Sequence, residues 1–240
     1  TSASNSVTVV SPDVPPISKY VITDLGRGRA FGVNNFGQVV GEAYDLQTNL
    51  TRAFLWTPSA ANGTNGVRVD IVGTNGVSHT YGLGMNSKGW VVGKYDIALE
   101  DEYGYLATTK FGFIWNPPTA NGTNGLFVSL GTLSGYPLNA MNYSMAEGIN
   151  DEGRIVGEFS HYYETYYGHA ISWEAGASTD FGAFPGWTEV SKAIAVNDPG
   201  QMVGLATIFD GQTYVYANHA VAWTNGSPAS FVDLDPSTPD

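Results

Sequence analysis

The densest group of side chains able to do chemistry is His161-Tyr162-Tyr163-Glu164-Thr165-Tyr166-Tyr167. A histidine among tyrosines can take a proton from a sugar carbon and return one to the leaving oxygen. That is the work of β-elimination on a uronate, provided a cation neutralises the carboxylate. Lys94, Lys110, Arg52 and Lys192 are bases that could supply the charge once folded. If the chain is an enzyme, His161, Tyr162, Tyr163 and Tyr166 are the candidate catalytic set and a polysaccharide lyase is the reaction class, ahead of a glycoside hydrolase. The same rings could do plainer work. Tyrosine offers a flat apolar body with a polar tip at low entropic cost, which suits stacking on a sugar or on a protein epitope. On that reading Trp187, Tyr163, Tyr167, Tyr103, Tyr105, Tyr136, Tyr214 and Trp90 are the candidate ligand contacts. On a third, purely structural reading they cover strand ends.

Other chemistry is thinner. Glu100-Asp101-Glu102, with Asp96 just before it, is an oxygen-rich run that could take Ca²⁺ but lacks the spaced acids and glycine of an EF-hand loop. No other cofactor is indicated. Glu42, Asp45, Asp96 and Glu158 could serve paired-carboxylate hydrolysis only at a separation that folding must set. The chain has no cysteine, which excludes thiolate metal sites, disulfides and a cysteine nucleophile. Its 22 acids against 10 bases give a net charge of -12, which repels phosphate backbones, anionic lipid and polyuronates alike unless a local basic patch reverses the field. Nucleic acid is therefore not an expected partner. No apolar run approaches the roughly 18 residues of a membrane span.

The elements that must position these residues come from a sentence repeated four times. Asn34-Asn35-Phe36-Gly37-Gln38-Val39-Val40-Gly41 recurs from Asn86, Asn150 and Asn197, at spacings of 52, 64 and 47 residues. That period belongs to propeller blades and solenoid coils. Each copy carries four short runs of strand-forming residues and no helical period. Asn-x-x-Gly joins the first two runs as a hairpin loop, because Asn bonds its own backbone and Gly takes a positive φ. The third run ends in Trp56, Trp115, Trp173 and Trp223, read as packing between neighbouring units. The fourth closes on Asp70-Ile71, Ser129-Leu130-Gly131, Asp180-Phe181-Gly182 or Asp233-Leu234, and a surplus copy, Asp24-Leu25-Gly26, precedes the first repeat.

The fold expected is all-β, a small β-propeller of four four-stranded repeats, with five blades or an open β-solenoid as alternatives. Residues 17–235 form the repeat domain, between an extended segment at 1–16 and a tail at 236–240. In a closed propeller the leading strand would complete the last blade. Connections such as 94–110, 158–168 and 205–218 vary and share one edge with most of the tyrosines, whereas the Asn-x-x-Gly turns and the Asn-Gly-Thr-Asn-Gly loops occupy the other.

The combined pattern, Ala/Gly-x-x-Asn-x-x-Gly-x-Val-Val-Gly, then His/Arg-Ala-x-x-Trp, then Asp-Leu-Gly, resembles the HAF repeats of bacterial extracellular proteins. The His-Ala pair stands at His169-Ala170 and His219-Ala220; Arg52-Ala53 and Phe111-Gly112 replace it in the first two copies. The resemblance implies a secreted or cell-surface bacterial protein and defines no catalytic residue. The function expected is glycan binding, or less simply protein binding, through the tyrosine-rich edge. Polysaccharide cleavage and a structural role within a longer surface protein are the alternatives, and oligomeric state is left open.

Overall fold

The computed structural model describes residues 6–7, 20–73, 76–161, 168–182, 190–210, 215–224 and 230–234. Four antiparallel four-stranded sheets follow one another, each formed by one repeat in simple meander order. The first holds β3 (Arg29–Val33), β4 (Val39–Asp45), β5 (Leu50–Pro58) and β6 (Gly66–Ile71). The second holds β7 (Val77–Met85), β8 (Val91–Glu100), β9 (Leu106–Asn116) and β10 (Leu126–Gly131). The third holds β11 (Asn142–Ile149), β12 (Ile155–His161), β13 (His169–Glu174) and β14 (Ala177–Asp180). The fourth holds β15 (Val190–Val196), β16 (Met202–Asp210), β17 (Val215–Trp223) and β18 (Phe231–Asp233). A separate pair joins β1 (Ser6–Val7) to β2 (Tyr20–Val21).

The repeated turn forms as its residue types dictate. Asn34, Asn86, Asn150 and Asn197 each accept, through Oδ1, the amide four residues on, at 2.8 to 3.0 Å. Gly37, Gly89, Gly153 and Gly200 close the loops at φ of 88°, 77°, 90° and 87°. The amide end of the same asparagines has a second task. Nδ2 of Asn34 donates to the carbonyl of Asn86, Asn86 to that of Asn150, and Asn150 to that of Asn197, at 3.2, 3.0 and 2.9 Å. One ladder of side-chain bonds thus runs along the whole array.

From the second repeat on, the first strand lies across the middle strands of the preceding sheet. It approaches closely through a β-bulge present in all four repeats, between Ala30 and Gly32, Gly82 and Gly84, Ala146 and Gly148, and Ala193 and Ala195. Glycine is needed in the middle repeats: a Cβ on Gly84 would stand 2.6 Å from the carbonyl oxygen of Glu147, and one on Gly148 2.7 Å from that of Ile194. A hydroxyl then locks each junction. Thr80, Ser144 and Ser191, all buried, donate to the carbonyls of Ile71, Gly131 and Gly182 and accept the amides of Ala53, Gly112 and Ala170.

The core lies between sheets. Val40, Leu55 and Ile71 pack with Phe111, Phe113 and Trp115; Val92 and Leu130 with Phe159 and Trp173; Val156 and Phe181 with Met202 and Trp223. Burying side chains of this size is worth about 1.5 to 3 kcal/mol each, so Trp115, Trp173 and Trp223 hold neighbouring repeats together. Three such interfaces join the four sheets, and among the described residues none of comparable extent joins the fourth to the first. Nor does the surplus strand complete the fourth sheet. Leu25 packs on Phe54 and Trp56 of the first sheet, where it takes the place that Ile71, Leu130 and Phe181 take against the next three tryptophans. The array is an open row of four propeller-like blades, headed by its own leading segment.

Candidate functional site

Two edges of the row differ as the repeat pattern implies. On one, the Asn-x-x-Gly turns meet the Asn-Gly-Thr-Asn-Gly loops: the amides of Asn62 and Asn121 donate to the carbonyls of Phe36 and Lys88 at 2.8 Å. On the other lie the variable connections. Here β8, β9, β11 and β12 enclose a cleft of about 580 Å³ lined by Lys94, Thr108, Thr109, Lys110, Ala140, Met141, Asn142, Tyr143, Met145 and Ser160. Its position follows from the second hairpin's register. Lys94 faces Gly112 and Lys110 faces Asp96, which sets the two lysines diagonally on neighbouring strands.

The cleft brings two basic side chains together, whereas Arg52 and Lys88 elsewhere bond backbone carbonyls of Ser78 and Asp151. Arg29, Arg68, Arg154 and Lys192 each hold a carboxylate, the last bonding Glu147 at 2.5 Å and Glu158 at 3.7 Å. Among the described residues neither Lys94 nor Lys110 has a carboxylate within 4.0 Å. Lys94 instead lies over the Tyr81 ring, 5.1 Å from its centroid. Around the lysines are hydroxyls and an amide. Thr109 donates to the carbonyl of Asn142 at 2.6 Å, and Asn142 Nδ2 to that of Pro137 at 2.6 Å, so the wall is fixed by backbone on the adjoining connection. Tyr143 donates to Glu158 Oε1 at 2.5 Å. Burial and the Glu158 charge raise its pKa far above the ordinary phenol value. Tyr143 is therefore a permanent donor and no base.

His161 stands beyond this wall. Its Nδ1 bonds Asn142 Oδ1, and its ring lies 5.2 Å from Tyr136, in a cavity of only about 60 Å³ with Leu133, Phe159, His169 and Asp180. The cleft that holds Lys94 and Lys110 is thus separated from His161 by Asn142 and Ser160, which line or border both spaces. Tyr162, Tyr163, Tyr166, Tyr167, Trp187 and Tyr214 lie outside the described residues. Tyr103 and Tyr105 are exposed, 64% and 72%, on the turn between β8 and β9. Asp101 Oδ1 accepts the amides of both, so the acidic run shapes this turn. Tyr136 is half-buried against Phe159, 5.0 Å between rings, and acts as a cover. Trp90 lies on the opposite edge, packed over Gly153 of the next repeat's turn and beneath Lys88.

Among the described residues no group of three histidine, aspartate or glutamate side chains is placed to hold a metal. Of the acids considered for hydrolysis, Glu42 is held by Arg29, Asp45 by Gln47 and Thr48 and Glu158 by Tyr143, while Asp96 meets Tyr81 through Oδ2 alone at 3.4 Å. The histidines of the repeated motif tie strands, as their recurrence suggests. His169 meets Asp180 and His219 meets Asp233, each at 3.1 Å. Sequence reasoning missed Thr108, Thr109, Asn142 and Ser160, and it took 94–110 as one connection, whereas β8 runs on to Glu100 and β9 starts at Leu106, a long hairpin whose register brings Lys94 beside Lys110.

Compared with protein-family models, with curated proteins and with solved structures, the chain matches none. The likeness to HAF repeats accordingly rests on the motif residues themselves.

Proposed function

We propose that this protein binds a glycan along its variable edge, in the cleft between the second and third sheets, and that the preferred unit carries a carboxylate. One observation carries the reading: two ammonium groups without carboxylate partners among the described residues share a hydroxyl-rich cleft in a chain of net charge -12. A carboxylate would sit between Lys94 and Lys110, and the exposed Thr108 hydroxyl and the remaining lone pair of the Tyr143 oxygen offer hydrogen bonds of the kind sugar hydroxyls need. Exposed Tyr103 and Tyr105, on the same edge, suit stacking on further sugar units. An acidic body with a local basic cleft admits an anionic chain only there, which favours short segments over extended polyanion tracks. The HAF-like motif supports an extracellular, bacterial setting.

Calorimetric titration with uronate oligosaccharides and their reduced, neutral counterparts tests this. Binding of the acidic set should weaken with added salt and fall by about tenfold or more in Lys94→Ala/Lys110→Ala, with the melting temperature little changed. Equal binding of neutral and acidic sugars would remove the carboxylate preference. Binding of neither, or binding indifferent to both lysines, would overturn the site.

A further inference from the structure

Residues that seal one sheet against the next have counterparts on the far face of the fourth sheet, and several of these are exposed. Val40, Val92 and Val156 are 0% exposed, whereas Val203, at the same register beside the bulge, is 45% exposed. Ile71 and Phe181 are buried, but Leu234, whose amide bonds Ala220 as that of Phe181 bonds Ala170, is 52% exposed. Ala53 and Ala170 are buried and Ala220 is exposed. The polar groups show the same vacancy. Hydroxyls from the following repeat lock Ala53, Gly112 and Ala170; among the described residues none reaches Ala220. At the end of the asparagine ladder, Asn197 Nδ2 bonds its own Gln201 Oε1 at 2.8 Å, as Asn34 bonds Gln38 at 2.9 Å, but unlike Asn34 it reaches no carbonyl of a further repeat among the described residues.

We infer that the far face of the fourth sheet is a docking surface for one more repeat of this same motif. The occupant is defined by the three interfaces already present. It brings a first strand with Ser or Thr at the locking position, a small-residue bulge and an Asn whose carbonyl completes the ladder, together with an uncovered tryptophan face. A second copy of this chain does not meet that description at its leading end. Its locking position is Gly28, whose Cβ would stand 2.4 Å from the Glu42 carbonyl, and its Trp56 face is already covered by Leu25. Ala195 sets the spacing. It stands where Gly84 and Gly148 meet a carbonyl, but at Gly32 the next strand's backbone stays 4.0 Å from a built Cβ. A methyl is tolerated at that looser approach, so the incoming repeat sits as the second sits on the first.

Because the chain has no cysteine, Val203→Cys gives a unique thiol on this face. In the test, a duplicate of residues 183–234 is joined directly after Leu234, and maleimide labelling of the thiol is compared with and without the extension, at micromolar dilution. The extension should slow labelling by about tenfold or more, and changing the duplicate of Ser191 to glycine should restore much of the rate. Labelling within about twofold would overturn the inference, whether the added repeat is folded by circular dichroism or unfolded for want of a surface. Protection of the unextended chain would overturn it too: if independent of concentration, the face is covered already, and if dependent, the occupant is a second copy.

Discussion

Asp180 shows how a repeated side chain becomes a pH-dependent fastening. Burial raises its pKa, but the hydrogen bond and charge of His169 and the Gly182 amide outweigh that and hold it below the ordinary 3.8. A depressed carboxylate contributes stability that is present above the unfolded value and lost as pH falls through the folded one. Asp151 is lowered as well, by the Ser87 hydroxyl and amide of the preceding repeat, so both act on the same acid limb. Thermal melts at about pH 6 and about pH 3 should show a smaller difference for Asp180→Asn than for the native chain. Parallel curves would mean that the His169 pair contributes nothing. His169 and His219 share one place in the repeated motif, which marks them as structural, but their partners, Asp180 and Asp233, come only from the pairing of each third strand with the fourth. Trp90 was not legible as a cover. Its counterparts Gln38, Arg154 and Gln201 suggest a wet site, yet its ring closes over Gly153, a contact between repeats that no local pattern encodes.

At the scale of elements, the bulged first strand decides how closely sheets approach. Gly148→Ala should cost about 1 to 3 kcal/mol, the range for overpacking, since the added methyl meets the Ile194 carbonyl. Ala195→Gly, at the same register with no sheet beyond it, should cost no more than the roughly 0.5 to 1 kcal/mol of strand flexibility. Urea midpoints of the two variants check the contrast; equal losses would show that the bulge tolerates crowding. Strands, turns and their order were legible because they depend on period and on turn residues within a few positions. The cleft was only half legible. Lys94 and Lys110 are related by one hairpin, but Asn142, Tyr143 and Ser160 come from the next sheet, and only the packing of β11 across β8 and β9 brings them there.

For the whole molecule, the row has two middle sheets covered on both faces and one terminal sheet covered on one. In such an array, stability is a sum of repeat and interface terms, so opening should begin where an interface is lacking. Hydrogen exchange followed by mass spectrometry should show backbone amides of β16 and β17 exchanging before those of β8 and β12. Uniform protection would mean that the ends are fastened together. The asparagine ladder carries a further consequence, for the time the chain takes to fold. Its rungs span 52, 64 and 47 residues, and no rung joins residue 34 to residue 197. Each repeat therefore has only to find the one before it. The entropic cost of loop closure is met in similar small instalments, and the barrier is set by a single junction whatever the number of repeats. A nascent chain could settle one sheet at a time during synthesis, never waiting for its last residues to reach its first.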